Sequence, residues 1–280
     1  MTKVAILFYR PPHSERSMCF MIFNNVINHL KLWCIHKAKS YQQEHAGYGG
    51  VVYVGCQVAY EMEFKLSTLI DKSFENANDL REEVMGLIHI HYEPSVLKPQ
   101  NSAAKHIVDK TNQEFCDYFE EVISRRESLP LADIPYNRVI IGTDATALKD
   151  KFRLIWQYVN TSYWFPLIGE EPVEISEKFF VMCDFFEPYM KQLERIIGLP
   201  QVHIYSFGEN FFRPEHCIET TELIEYGGCE TIYTDKDFSW AIHFSHEGTV
   251  SFAGSIVPIA KKLLLTEKEH WNSFEWNGEE

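Results

Sequence analysis

The chain has 280 residues and a net charge of −14, with 45% hydrophobic and 24% charged residues, which is typical of a soluble globular protein. Its seven cysteines include no CxxC pair, so neither structural zinc nor a disulfide framework is favoured. No segment has the features of a signal peptide or of a transmembrane helix. We therefore expect a reduced, cytoplasmic protein that has no cofactor and does not contact a membrane.

The negative charge is concentrated in the C-terminal part of the chain. Residues 170–280 contain 21 Asp and Glu against 8 Lys and Arg, whereas residues 1–169 contain 19 against 18. An acidic field repels nucleic acid and accelerates the encounter with a basic protein. The charge pattern thus indicates a protein partner and no nucleic acid, with a surface that merely keeps the chain soluble as the other interpretation.

The first third of the chain alternates between strand and helix patterns. Lys3–Tyr9 predicts a short buried strand, and a helix capped by Ser14 or Ser17 extends from there to about Lys39. Val51–Phe64 predicts a strand of mixed alternation.

Further along the chain, a polar helix near 67–83 is followed by a predicted strand over Val84–Tyr92. An apolar stripe at helical spacing predicts a long helix over Ala103–Arg126. Arg138–Gly142 then forms a short strand, and Asp144 caps a helix that extends to Tyr158.

The segment "PLIGEEPVE" at 166–174 marks the predicted boundary, because the charge balance changes there. It divides a near-neutral mixed α/β part, 1–168, from an acidic α+β part, 169–280, and the two either separate or pack as one unit. Ile175–Ile197 predicts a long aromatic-rich helix, and Ile256–Leu265 a final short one. Between them, five runs separated by turn residues predict an antiparallel meander: "VHIYSF", "TTELIEY", "CETIYT", "SWAIHFS" and "TVSFAG". The fold class is therefore α+β.

The stretch "HFSHE" combines two histidines with a serine, as a catalytic or metal site does. In a strand, however, Trp240, Ile242 and Phe244 share one face, and His243 lies on the other. "SHEG" suits a turn in which Gly248 takes a positive φ and Ser245 binds backbone amides. We interpret the stretch as a hairpin, with His243 on an exposed sheet face.

"HIHYE" is the main metal candidate. On a strand, His89, His91 and Glu93 project from one face, and imidazoles two residues apart converge on one ion. The pattern matches the cupin HxHx(3–4)E motif only in part, because the Glu comes early and no downstream Gly-His segment follows. The alternative is a half-exposed polar strand face.

Glycine-rich segments give no nucleotide-binding signature. Gly47, Gly49 and Gly50 follow a helix, whereas a phosphate-binding loop opens one. "GTDAT" at 142–146 is interpreted as a strand-to-helix turn. No GxSxG or GxxxxGK[ST] motif occurs, so no catalytic residue is assigned.

Carboxylates interleaved with Tyr and Trp crowd the meander, including Glu215 and Glu219. Such a surface suits docking on a basic partner, since aromatic side chains fill pockets while carboxylates meet Lys and Arg. Paired carboxylates also serve glycosidases, but nothing here fixes their separation. The residues that we expect to bind a partner are Glu222, Glu225, Tyr226, Glu230, Tyr233, Asp235, Asp237, His243 and Glu247.

The segment "ELIEYGGCETIYTDKDFSWAIHFSHEGTVSFAG", in an acidic α+β chain without a catalytic signature, resembles immunity proteins of bacterial polymorphic and contact-dependent toxin systems. The resemblance covers mainly residues 200–260. It implies a non-enzymatic protein that binds and neutralises a cognate toxin domain. The alternative function is a metal-dependent enzyme that uses His89, His91 and Glu93.

Overall fold

The computed structural model describes residues 15–44, 51–88, 102–156, 177–208, 216–223 and 230–273. The chain divides into two compact units, Met1–Ile134 and Pro135–Glu280. The boundary expected at 166–174 and the strand expected at Lys3–Tyr9 lie outside the described residues.

The described part of the first unit is helical. It contains α1 (Glu15–Glu44), α2 (Val51–Ser67), α3 (Ala77–Ile88) and α4 (Ser102–Ser124). Helix α2 packs against the other three, and α1 also packs on α4. The helices predicted to start near Ser14 and Ala103 are confirmed.

The strand predicted over Val51–Phe64 is wrong, because this segment belongs to α2. Its buried residues Val54, Val58, Met62 and Leu66 recur every four positions, which is the spacing of one helix face. The β-branched side chains of Val54 and Val58 favour strands only as a weak preference, and burial among three helices overrides it here.

Helix α2 approaches α1 closely at Gly55. A Cβ atom at this position would lie 2.7 Å from the ring of Tyr41. That ring is held in place, since its hydroxyl shares a buried 2.7 Å hydrogen bond with Thr111 Oγ1 of α4. Gly55 therefore permits a helix contact that a larger residue would obstruct.

The strand predicted over Val84–Tyr92 is also wrong for its first five residues, which complete α3. Leu80, Val84 and Ile88 are the buried positions of this helix, again four residues apart. Residues 89–92 lie outside the described part of the chain.

Within the described residues of the second unit, seven strands form one antiparallel sheet in the order β1-β4-β3-β5-β6-β7-β2. The strands are β1 (Asn137–Ile141), β2 (Lys178–Met182), β3 (Ile204–Gly208), β4 (His216–Thr220), β5 (Thr231–Thr234), β6 (Trp240–Phe244) and β7 (Thr249–Gly254). Together with the helical first unit, this sheet confirms the α+β class. Strands β5, β6 and β7 form a meander, whereas β4 lies on the far side of β3.

Two predicted elements differ from the structure in this unit. Ile175–Ile197 is not one helix: it contains the edge strand β2, then α6 (Cys183–Phe186), a 3₁₀ turn and α7 (Met190–Ile196). Four of the five residues of β2 are buried, so the segment lacks the polar stripe of an amphipathic helix. "TTELIEY" begins where β4 ends, and residues 221–223 are not in a strand.

Helices cover both faces of the sheet. Helix α5 (Gly142–Trp156) packs through Ala145, Phe152 and Trp156 on one face, with Ile232 and Ala241 of the sheet. The opposite face packs against α6, α7 and α8 (Val257–Leu263), and its sheet residues include Trp240, Ile242 and Phe244, as expected. The prediction that His243 lies on an exposed face is wrong, because its side chain is buried and bonds to Glu230.

Candidate functional site

The antiparallel order separates the predicted partner-binding residues into two groups. Glu230 and Glu247 lie at the end of the sheet where β6 meets β7, and Asp235 and Asp237 lie at the end where β5 meets β6. Glu222, which follows β4, belongs to the second end. At about 3.3 Å per residue, the length of β6 holds the groups roughly 13 Å apart.

A buried carboxylate organises the first end. Glu230 accepts hydrogen bonds from His243 Nε2 and His246 Nδ1, from Ser245 Oγ at 3.2 Å and from the amide of His246 at 3.2 Å. An ionised carboxylate only accepts, so each imidazole carries a proton on the nitrogen that faces Glu230. We call Glu230, His243, Ser245 and His246 the Glu230 centre.

The Glu230 centre keeps its carboxylate ionised. Burial would raise the pKa of Glu230, but the hydrogen bonds and positive charge of His243, together with the bonds from His246, outweigh it, and the pKa is lowered. Donors from β6 and from the turn after it already bind the Glu230 carboxylate. Glu230 therefore stabilises the β6–β7 hairpin.

The "SHEG" turn has the predicted geometry. Gly248 has a φ of 72°, and its amide donates to the Ser245 carbonyl at 3.0 Å. The Ser245 hydroxyl accepts from the amide of Glu247 at 3.2 Å. The hairpin interpretation of "HFSHE" is confirmed, and the histidines contribute by bonding to Glu230 across it.

The remaining residues that we expected to bind a partner differ from one another in their exposure. Tyr233, like Glu230 and His243, is enclosed within the unit and does not present its side chain to a partner. Asp237 and Glu247 are exposed, while Glu222 and Asp235 are half-buried. Asp235 accepts from the amide and hydroxyl of Ser239, which fixes the β5–β6 turn. Glu225 and Tyr226 lie outside the described residues.

A second buried carboxylate, Glu219, organises the other end; the sequence placed it among the carboxylates of the meander but gave it no role. Glu219 accepts hydrogen bonds from Lys236 Nζ at 2.6 Å and His203 Nδ1 at 2.9 Å, and Arg138 Nη1 lies 3.6 Å away. The ring of His203 stacks on Tyr136 at 4.2 Å between centroids. We call Glu219, Arg138, His203 and Lys236 the Glu219 centre.

Lys236 and His203 also keep Glu219 ionised. Burial raises the pKa of Glu219, but hydrogen bonds and electrostatic interactions with Lys236 and His203 lower it by more. The pKa of Glu219 is therefore lowered overall. Glu219 lies directly opposite Arg138 on β1 and Tyr205 on β3. Arg138 lies on a predicted strand, but Glu219 lies just before one, and the pairing of β1 with β4 was not readable from the sequence.

The residues of the alternative metal site, His89, His91 and Glu93, lie outside the described part of the chain, and the segment just before them is the end of a helix. Within the described ranges, no group of three or more His, Cys, Asp or Glu has the arrangement of a metal site.

None of the helices in the described part of the chain combines the length and apolarity needed to cross a membrane. Comparison with known proteins found no matching family model, curated protein or solved structure.

Proposed function

We propose that this protein is a non-enzymatic binding protein that sequesters a basic protein domain, and that this domain is a toxin which it neutralises. The observation that carries the proposal is the concentration of negative charge in residues 170–280, 21 acidic against 8 basic. Such a field speeds encounter with a basic partner and suppresses other partners.

The exposed carboxylates of the second unit support this function. Asp184, Glu187 and Asp237 are exposed and form no ion pair with any residue that the structure describes. They are therefore available to meet Lys and Arg side chains.

The buried polar groups also favour binding over catalysis. The carboxylates of both centres are occupied by internal donors. A general acid or base instead needs an atom within hydrogen-bond reach of a substrate, and a pKa near the working pH. The pKa values of Glu219 and Glu230 are lowered, which takes them further from a neutral working pH.

The test starts from the gene neighbourhood, because immunity genes lie directly behind their toxins in the systems that this chain resembles. The protein is co-expressed with the tagged product of the neighbouring reading frame, and the expected result is a stable complex that relieves growth arrest. No toxin-like domain in that frame, or no complex with it, contradicts the proposal.

Charge reversal then locates the surface. Asp237→Lys and Glu247→Lys probe the two ends of the sheet separately, and Glu75→Lys on the exposed surface of the first unit is the matched control. We expect one of the first two variants to slow association about 10-fold while the control leaves it unchanged. Equal effects of all three would mean that net charge alone governs the encounter.

A further inference from the structure

The outward edge of β2, the last strand on one side of the described sheet, is occupied by a segment of the same chain. The Glu177 carbonyl accepts from the amide of Gly254 at 3.2 Å, and the amide of Cys183 donates to the Gly248 carbonyl at 2.7 Å. These odd-numbered positions bond towards β7, and successive residues of an antiparallel strand alternate in direction. The amide and carbonyl of Phe180 therefore point away from β7.

Asn272 binds both of these outward groups. Its amide donates to the Phe180 carbonyl at 2.8 Å, and its Oδ1 accepts from the Phe180 amide at 3.2 Å. Asn272 has a φ of 57°, a left-handed conformation that asparagine tolerates better than most other residues with a side chain. Asparagine thus combines the backbone conformation and the side-chain acceptor that this contact with Phe180 uses.

Trp271 anchors the contact to the core of the unit. Its ring lies 5.1 Å from the ring of Phe179 between centroids, and its Nε1 donates to the Leu264 carbonyl at 3.2 Å. Asn272 itself is exposed, so its contact with β2 lies at the surface. We call Trp271 and Asn272 the Asn272 strap.

The strand under the strap has a composition that favours pairing with other strands. Its sequence is "KFFVM", with one charged residue and no proline. Apolar segments with high β-propensity and low charge associate readily when their edge is open. Native proteins protect such edges with charges, prolines or a covering segment. In this chain the Asn272 strap supplies the cover.

We propose that the Asn272 strap is a protective cap that keeps β2 from pairing with β2 of a second copy of this chain. A second copy fits this edge because Phe180 presents a donor and an acceptor side by side. Two antiparallel β2 strands centred on Phe180 would exchange these two bonds. In that register Lys178 lies opposite Met182, so like charges do not meet. This inference goes beyond the proposed function and does not depend on it.

Asn272→Gly tests the cap, because glycine keeps the left-handed φ and removes the side-chain acceptor. Self-association of the full-length protein is measured by sedimentation velocity over a range of concentrations. The buffer contains about 0.15 M NaCl, which screens charges beyond roughly 8 Å. We expect Asn272→Gly to self-associate at least about 10-fold more tightly than the wild-type protein. Trp271→Ala, which removes the anchor, should have the same effect.

Asn272→Asp is the matched control. Aspartate retains an acceptor at the same position and also tolerates the left-handed conformation, so this variant should behave like the wild-type protein. If Trp271→Ala does not fold, the comparison of Asn272→Gly with Asn272→Asp decides the question.

Hydrogen exchange at the Phe180 amide identifies the surface through which the copies associate. In dilute Asn272→Gly this amide should exchange about 10-fold faster than in the wild-type protein, and it should regain protection as the concentration rises. The proposal is overturned if Asn272→Gly associates no more tightly than the wild-type protein, or if Asn272→Asp associates as tightly as Asn272→Gly. Association of Asn272→Gly without protection of the Phe180 amide would also overturn it, since the copies would then meet elsewhere.

Discussion

The two ends of the sheet contain buried carboxylates with different surroundings. Glu230 is bound by groups from one hairpin, and its partner His243 is only 6% exposed. Glu219 is bound by side chains from three separate parts of the chain, each of which is at least 33% exposed. Both carboxylates have a lowered pKa. The first carboxylate is therefore enclosed together with its main partner, whereas the second is bound by side chains that also reach solvent.

Removing the Glu230 carboxylate should have the largest effect on stability. In Glu230→Ala, the imidazole of buried His243 and the amide of His246 lose their acceptor, and we expect the free energy of unfolding to fall by about 3 kcal/mol. Urea denaturation measures this change. Glu247→Ala in the same turn is the control, since its exposed side chain should contribute no more than about 0.5 kcal/mol.

Acidification should weaken both centres together. Since the folded pKa of each carboxylate lies below its ordinary value of 4.5, its contribution is present above that pH and is lost as the pH falls through the folded pKa. Unfolding measured from neutral pH down to the acid range should show this loss below about pH 4.5, with a shallower slope in Glu230→Gln. An unchanged slope in that variant would show that Glu230 is equally acidic in the unfolded chain.

Removing the Glu219 carboxylate should cost less. Lys236, Arg138 and His203 can all be hydrated when it is absent, so we expect Glu219→Ala to lower the free energy of unfolding by about 1 kcal/mol. A loss as large as that of Glu230→Ala would contradict the distinction between the two centres.

The smallest change in the free energy of unfolding is expected for an exposed ion pair in the first unit. Arg81 donates two 2.8 Å hydrogen bonds to Glu120, and these bonds are the main cause of the lowered pKa of Glu120. The pair is solvent-exposed, so Glu120→Gln should cost only about 0.5 kcal/mol, and less in high salt. Glu82→Gln on the exposed surface of α3 controls for the loss of charge alone.

The sequence predicted those helices and strands whose pattern is complete within a short segment. Apolar and polar residues alternate in β6 and β7 around a Gly-containing turn, and α4 has an apolar stripe, so the hairpin and the helix were both predicted. Helix α2 was not, because its valines and aromatic residues favour a strand and its four-residue spacing was the weaker signal.

The two centres were likewise predictable only as far as their residues lie close together in the sequence. The members of the Glu230 centre lie within residues 230–246, and the sequence drew attention to four of them, although as surface or turn residues. The Glu219 centre joins residues 138, 203, 219 and 236, which meet because β4 pairs with β1 on one side and with β3 on the other, and β3 in turn pairs with β5. That strand order depends on packing across the whole sheet and leaves no local pattern.

Recognition of a basic domain by an acidic surface is tested by the rate of association with the product of the neighbouring reading frame. Stopped-flow fluorescence would measure this rate constant over an ionic strength of about 0.01 to 1 M, where the screening length falls from roughly 30 to 3 Å. We predict a steep decrease of the association rate with added salt and a much smaller change in dissociation. An association rate that does not depend on salt would contradict recognition through an acidic surface.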